Sequence, residues 1–195
     1  YGEGLLTHGL YERAQAQIQS AQQLIPDRYE AHWSLCRLYD YMLRSQDAIS
    51  QCRAALVNPH FEPARIKMAD IAMTYGAHGD VIDALMPLAN NRRATDASVR
   101  RLAASLIAGG RMADLERLKR DISESWSGRD HAFVDGLIAS ETGDIKRAKG
   151  ELQRALEAYS KDESVVMAYA QFFSAHGRRD LALSALLGLS VQSKY

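Results

Sequence analysis

Four residues in one segment have the chemistry to bind a metal ion or to form a disulfide. His32 and Cys36 are four residues apart, which places them on one face of a helix, and Cys52 and His60 follow. Imidazole and thiolate are the ligands that Zn²⁺ prefers. Alternatively, Cys36 and Cys52 could form a disulfide, or pack as the small buried residues that free cysteines commonly are. The sequence favours packing, because both cysteines occupy places that the other repeats described below mostly fill with alanine, glycine or leucine. The chain also holds no CxxC or HExxH motif, and whether the cysteines are free or bonded stays open.

Histidine directly precedes glycine three times, at His8, His78 and His176. Such histidines could serve acid–base or metal chemistry. Their separations of 70 and 98 residues are instead close to two and three multiples of a period near 34. We therefore interpret each pair as the end of a helix. Glycine supplies the left-handed conformation that terminates it, and an imidazole in the last turn interacts favourably with the helix dipole.

Motifs of catalysis and of cofactor binding are missing from the chain. It contains neither GxxxxGK[ST] nor GxSxG. The segment GEG at 2–4 follows no strand, so it is not a dinucleotide-binding fingerprint. Carboxylates are scattered, and the repeat brings no pair of them together. We predict no enzyme, no cofactor and no metal site in this chain.

An internal repeat organises the whole sequence. The turn positions recur at intervals of 34, 36, 31, 33 and 34 residues, and they are Gly9, Leu43, Gly79, Gly110, Gly143 and Gly177. Seven residues before each of them stands a small residue or cysteine, namely Gly2, Cys36, Ala72, Ala103, Gly136 and Ala170. Five residues after each stands Ala14, Ala48, Ala84, Leu115, Ala148 and Ala182.

Small residues at fixed places allow two helix backbones to approach closely, and apolar residues spaced by three and four form one buried face. Each repeat is therefore predicted to be a helix, a short turn and a second helix, which makes the fold class all-α. We predict repeats at about 1–27, 28–60, 61–93, 94–127, 128–161 and 162–190. They would form a single repeat domain over 1–195 whose first repeat is truncated, and we expect the chain to be part of a longer protein.

This pattern resembles the tetratricopeptide repeat (TPR) family over essentially the whole chain. The resemblance is carried by LLTHGLYERAQAQIQSAQQLIP at 5–26, AHWSLCRLYDYMLRSQDAISQCRAALVNP at 31–59 and GLIASETGDIKRAKGELQRALEAY at 136–159. It implies antiparallel helix pairs stacked in a right-handed superhelical solenoid, with the first helices lining a concave groove. It also implies that the chain holds proteins or peptides and does not transform them.

Two features depart from the pattern of the family. Leu43 stands where the other repeats have a turn glycine. Pro87 falls inside the second helix of the third repeat, where it removes a backbone hydrogen bond and should end or kink that helix. We expect an irregular junction at 87–95, and a change in the superhelical path there.

The repeat alignment predicts which residues line the groove. The candidates for contact with a peptide are Trp33, Arg37, Tyr41, Asp70, Met73, Arg100, Arg101, Phe133, Leu137, Met167 and Gln171. Such a mixture suits an extended or helical peptide with apolar anchors and an acidic group. Alternatively, Trp33 and Phe133 pack against the next repeat and contact no ligand.

Composition restricts the partners further. Lysine plus arginine equals aspartate plus glutamate, 24 against 24, so the charge balance gives no argument for a nucleic acid. The apolar stretch at 181–191 is shorter than the roughly 20 residues that span a bilayer, so we predict no membrane insertion. Cytoplasm and periplasm both remain open, and the Ala/Arg-rich repeats suggest a bacterial source. We expect a protein-interaction scaffold. The alternatives are a homo-oligomer formed through uncapped apolar ends, and the regulatory arm of a separate catalytic domain.

Overall fold

A computed structural model describes residues 10–26, 28–122 and 128–192. Within these ranges the chain forms eleven α-helices and one short 3₁₀ turn, without any strand, which confirms the all-α prediction. The helices of the first half are α1 Tyr11–Leu24, α2 Tyr29–Tyr41, α3 Ser45–Ala54, α4 Glu62–Thr74 and α5 His78–Asn90. Those of the second half are α6 Asp96–Ala108, α7 Met112–Ile122, α8 Gly128–Glu141, α9 Ile145–Ala158, α10 Glu163–Ala175 and α11 Arg179–Gln192.

Five pairs of consecutive helices follow α1: α2–α3, α4–α5, α6–α7, α8–α9 and α10–α11. The first four pairs fall inside the repeats predicted at 28–60, 61–93, 94–127 and 128–161, and α11 extends two residues past 190. Side chains fix several of the helix starts. Thr95 accepts a hydrogen bond from the Ser98 amide at the start of α6, and Asp144 accepts one from the Arg147 amide at the start of α9. Both side chains thus satisfy a backbone N–H group in the first turn of a helix, one between two hairpins and one inside the α8–α9 hairpin.

The turn inside each hairpin contains a residue with positive φ. These residues are Leu43, Gly76, Gly110, Gly143 and Gly177, spaced by 33, 34, 33 and 34 residues. The prediction of Gly79 as the turn residue of the third repeat is wrong, because Gly79 lies inside α5. With Gly76 in its place, the intervals of 36 and 31 disappear and the repeat becomes regular.

Burial confirms the corrected register. Tyr75 stands four residues before Gly79 and is 54% exposed, whereas Ala72 stands four residues before Gly76 and is 0% exposed. The positions seven before and five after Gly76 are Ala69 and Val81, and both are buried. The third repeat therefore follows the same packing pattern as the others, three residues earlier than predicted.

The histidine–glycine pairs differ in where they lie relative to the helices. His176 ends α10, and its ring Nδ1 lies 2.7 Å from the carbonyl oxygen of Phe172, as expected for a helix-terminating histidine. His78 begins α5, so for this histidine the helix-end prediction is wrong. His8 lies outside the described residues.

Pro87 lies inside α5, yet the helix continues to Asn90 before it ends. The proline removes one backbone donor close to the end of the helix, so few bonds remain to be disturbed beyond it. Arg92 then adopts a positive φ in the connection to α6. The helix end and this connection occupy the junction predicted at 87–95.

The helices divide into two compact units, one up to Leu88 and one from Ala89 onward. The core of the N-terminal unit is formed by Leu35, Leu38, Met68, Val81 and Leu85. The core of the C-terminal unit is formed by Leu102, Leu106, Leu115, Phe133 and Leu152. Burial of these side chains, each worth about 1.5–3 kcal/mol, supplies the main driving force for folding of both units.

Cys36 and Cys52 form a disulfide between α2 and α3, with their Cα atoms 5.0 Å apart. Both residues are buried, so the packing that the sequence favoured is combined with the covalent bond that it left open. His32 lies with two glutamines, its Nδ1 being 2.9 Å from Gln51 Oε1 and 3.2 Å from Gln22 Nε2. Among the described residues, no group of three or more His, Cys, Asp or Glu could hold a metal ion.

None of the helices within the described ranges is long and apolar enough to cross a membrane.

Candidate peptide-binding surface

The predicted groove residues of the N-terminal unit lie on α2 and α4, the first helices of two successive hairpins. Trp33, Arg37 and Tyr41 lie on α2, while Asp70 and Met73 lie on α4. Tyr41 is exposed and the other four are half-buried. All five therefore keep surface that a ligand could contact.

An ion pair between Asp40 of α2 and Lys67 of α4 connects these two helices. Both side chains are about one-third exposed, so the pair lies at the surface and contributes about 0–1 kcal/mol to stability. Its importance is geometric, because it shows that these faces of α2 and α4 are neighbours. We call the surface formed by Trp33, Arg37, Asp40, Tyr41, Lys67, Asp70 and Met73 the N-terminal face.

Lys67 is not among the groove residues predicted from the sequence. It stands nine residues before Gly76, as Arg101 stands nine residues before Gly110. Arg101 was predicted as a groove residue and Lys67 was not, because the register of the third repeat was shifted. The signal was present in the sequence, and the correct turn glycine would have revealed it.

Trp33 combines packing with exposure. Its ring meets that of Phe61 edge-on, with centroids 5.4 Å apart, and Tyr29 contacts the same Phe61 ring at 4.7 Å. Phe61 immediately precedes α4, so Trp33 packs against the following repeat, as the alternative interpretation proposed. The rest of the indole remains half-exposed. Aromatic contacts of this kind hold the ring in one orientation.

Three predicted groove residues of the C-terminal unit, Arg100, Phe133 and Leu137, are buried. The reason is that the first helices of its three hairpins pack on one another, with α6 in contact with both α8 and α10. Phe133 is fully enclosed, so it packs as the alternative interpretation stated. The structure thus places these three side chains in the core of the unit, where they are not available to a ligand.

Arg100 has partners within the chain. Its Nε donates a hydrogen bond of 2.8 Å to Asp162 Oδ2, and its guanidinium lies 3.9 Å from the centre of the Tyr159 ring. Asp162 also caps α10 by accepting from the amides of Ser164 and Val165. Arg100 therefore connects α6 to the start of α10 and has the role of a structural ion pair.

The remaining predicted residues of the C-terminal unit keep exposed surface. Met167 and Gln171 on α10 are exposed, and Arg101 on α6 is half-buried. Met167 and Gln171 are four residues apart on one helix, so they lie on the same face.

No protein-family model matches the chain, and no curated protein does. Solved structures do match. A chain in the structure of Naa15/Naa10 bound to HypK-THB superposes with a TM-score of 0.60 at 20% identity, over 96% of this chain and 30% of that one. PilW, a widely conserved type IV pilus biogenesis factor, superposes with a TM-score of 0.54 at 14% identity, over 100% of this chain and 91% of PilW. Pseudomonas aeruginosa pilF gives 0.50 at 14% identity, over 98% and 88%.

These structural neighbours contain tetratricopeptide repeats. At such identities the similarity shows the fold, which is a TPR-like helical repeat. The chain spans only 30% of the length of its match in the Naa15/Naa10 complex.

Proposed function

We propose that this TPR-like chain is a protein-interaction module that binds a peptide or protein segment on the N-terminal face. The observation that supports this most directly is the side-by-side placement of α2 and α4 by the Asp40–Lys67 pair. It sets Trp33, Arg37 and Tyr41 beside the residues of α4 while leaving surface on each of them. We exclude Arg100, Phe133 and Leu137 from the site because they are buried.

The chemistry of the face indicates the kind of ligand. Trp33, Tyr41 and Met73 offer apolar surface for an anchor side chain, and aromatic residues are enriched among those that dominate binding energy. Arg37 can pair with a carboxylate through its fork of N–H donors. We therefore propose a segment with apolar anchors and an acidic group. Arg101, Met167 and Gln171 are candidates for a further contact on the C-terminal unit.

The proposed role is that of a scaffold in a larger bacterial protein or assembly, without catalysis by this chain. One matched protein, PilW, is described as a pilus biogenesis factor. The first helices α2 and α4 offer partly exposed side chains for contact with a partner, which is consistent with a scaffold.

A selection experiment tests the proposal. A phage-displayed library of random peptides is selected on the immobilised chain, and calorimetry then measures the affinity of the selected peptides. Arg37→Glu and Tyr41→Ala should each weaken binding about tenfold or more, because one repels the acidic group and the other removes an anchor contact. Circular dichroism should show unchanged helicity.

Arg154→Glu is the matched control, since Arg154 is an exposed arginine on α9, in the C-terminal unit. It should leave the affinity unchanged. Equal affinities for the wild type, Arg37→Glu and Tyr41→Ala would overturn the proposed site, and so would a selection that yields no binder.

A further inference from the structure

The disulfide of the α2–α3 hairpin occupies a contact that another hairpin makes by packing alone. Cys36 and Cys52 stand seven residues before and nine residues after the left-handed turn residue Leu43. The same two positions around the next turns but one hold Gly136 and Leu152 in the α8–α9 hairpin. A Cβ atom built on Gly136 would lie 2.9 Å from the Leu152 side chain, so the two helices touch there without any bond.

The chain has two cysteines, so the remaining hairpins hold other residues at these positions. The pairs are Ala69 and Leu85, Ala103 and Lys119, and Ala170 and Leu186. A leucine side chain is larger than that of cysteine and buries more apolar surface between the helices. A reduced α2–α3 hairpin would therefore lose its bond without gaining the leucine that three of the other four hairpins have.

The turn of the same hairpin is formed by an unfavourable residue. The amide of Arg44 donates a hydrogen bond of 2.8 Å to the carbonyl oxygen of Tyr39, and the turn at Gly110 is closed in the same way. This closure places the turn residue at a positive φ, which glycine adopts freely and leucine does not. Leu43 is also 80% exposed, so burial of its side chain does not offset the steric cost.

Both helices of this hairpin begin without a side-chain cap. Arg28 and Arg44 stand at the N-cap positions of α2 and α3, and neither makes a capping hydrogen bond. In the C-terminal unit, Thr95, Asp144 and Asp162 each cap a helix by accepting from backbone amides. Such caps stabilise a helix. The α2–α3 hairpin thus lacks two local sources of stability that hairpins of the C-terminal unit have.

We propose that the Cys36–Cys52 bond is a redox switch for the N-terminal face. In the oxidised chain the bond holds α2 against α3, and Trp33, Arg37 and Tyr41 of α2 keep their places beside α4. In the reduced chain the hairpin opens far more readily, because the unfolded chain is no longer cross-linked, and the face is lost with it. Control of binding rests on the proposed function, whereas the change in stability is independent of it.

The switch requires a dithiol reductant. One thiolate of the reductant attacks a sulfur of the disulfide, and the other cysteine leaves as a thiolate. The second thiol of the reductant then displaces the cysteine that was attacked, and the reductant becomes a disulfide. It loses two electrons and two protons, and Cys36 and Cys52 each gain one electron and one proton.

Burial determines when this exchange takes place. Cys36 and Cys52 are both 0% exposed, so a thiolate reaches the bond only when the hairpin opens. The oxidised form therefore resists a reductant while the N-terminal unit stays folded. Conditions that open the unit expose the bond, and its loss then keeps the hairpin open for longer.

Hydrogen exchange followed by mass spectrometry tests the change in stability. The oxidised chain is compared with the chain reduced by dithiothreitol in mild urea and returned to urea-free buffer with the reductant. Amides of α2 and α3 should exchange about a hundredfold faster after reduction, since the bond joins residues 16 apart. Amides of α8 and α9 should exchange at the same rate in both states. Unchanged exchange of α2 and α3, or equal acceleration of all four helices, would overturn the proposal.

The double variant Cys36→Ala/Cys52→Leu is the matched control, since it introduces the pair that Ala69 and Leu85 form in the α4–α5 register. Dithiothreitol should leave the exchange rates of α2 and α3 in this variant unchanged. If the reductant accelerated their exchange here as well, it would act on the chain by another route, and the disulfide would not be the switch.

Calorimetry with a peptide selected on the N-terminal face tests the control of binding. Reduction should lower the melting temperature of the N-terminal unit by about 10–20 °C, and titrations are run between the two values. Affinity should then fall at least about tenfold on reduction. Equal affinities with faster exchange in α2 and α3 would refute control of the face. If no peptide can be selected, the proposed function fails, and the exchange rates still decide whether the bond controls stability.

Discussion

Arg100 shows at the scale of a single residue how helix packing changes the role of a charged side chain. An arginine on a first helix of a TPR-like hairpin is expected to face a ligand. Here α6 and α10 are in contact, so the guanidinium is enclosed between Asp162 and the Tyr159 ring. A buried cation needs such partners, because an uncompensated charge in the interior is costly.

Arg100→Ala should lower the free energy of unfolding by about 3 kcal/mol, because it leaves the largely enclosed carboxylate of Asp162 without its cation. Urea denaturation followed by circular dichroism measures the change. The control is Arg154→Ala, in which an exposed pair with Glu151 is lost and the expected change is below about 1 kcal/mol. Similar losses for the two variants would show that the Arg100–Asp162 pair is not a structural ion pair.

Much of the buried face could be predicted from residue types alone. The small or apolar residues five positions after the turns, Ala14, Ala48, Leu115, Ala148 and Ala182, are all buried. The partner of Arg100 could not be predicted in this way. Asp162 lies 62 residues further along the chain, and a periodic pattern does not reveal that hairpins two repeats apart touch.

The close approach of α8 and α9 depends, at the scale of the element, on the absence of a side chain. A Cβ atom built on Gly136 would lie 2.9 Å from the side chain of Leu152 and 3.1 Å from its backbone nitrogen. A Cβ atom built on Gly150 of α9 would have no atom within 4 Å. A side chain at position 136 would therefore clash with α9, whereas a side chain at position 150 would meet no neighbour.

Gly136→Ala should destabilise the chain by about 1–3 kcal/mol, since the added methyl group overpacks the helix interface. Gly150→Ala should stabilise it by about 0.5–1 kcal/mol, because alanine favours helix and meets no neighbour. Thermal unfolding of the two variants beside the wild type gives the comparison. If both variants changed the melting temperature in the same direction, helix propensity and not the α8–α9 contact would explain the result.

The helices themselves could be predicted from the period of the sequence, and the one register error has a physical cause. The segment 76–79 contains two glycines, and a histidine precedes the second one, as in the pairs at 8–9 and 176–177. Only Gly76 adopts a positive φ. Composition could not distinguish the turn glycine from a helical glycine, whereas the regular spacing of 33–34 residues would have done so.

Binding at the N-terminal face depends in part on charge. It uses Arg37 and a ligand carboxylate, and hence electrostatics that salt screens. A periodic sequence indicates that surfaces exist on each hairpin, but which of them stays open depends on packing between repeats, as the buried Arg100 and Phe133 show.

Raising the NaCl concentration from about 0.1 M to about 1 M shortens the Debye length from about 10 Å to about 3 Å. Affinity for a selected acidic peptide should therefore fall over this range. Calorimetry in the two buffers measures the change. An affinity that is the same in both buffers would contradict the contact proposed between Arg37 and a carboxylate of the peptide.

The bond between Cys36 and Cys52 closes a covalent ring that contains the exposed turn at Leu43. A protease that cleaved the chain at this turn would open the ring without separating its two ends. The fragments on either side of the cut would stay joined by the disulfide, so α2 and α3 would remain one covalent species until a reductant cleaved it. Covalent continuity of the N-terminal unit thus does not depend on the peptide backbone at this exposed turn.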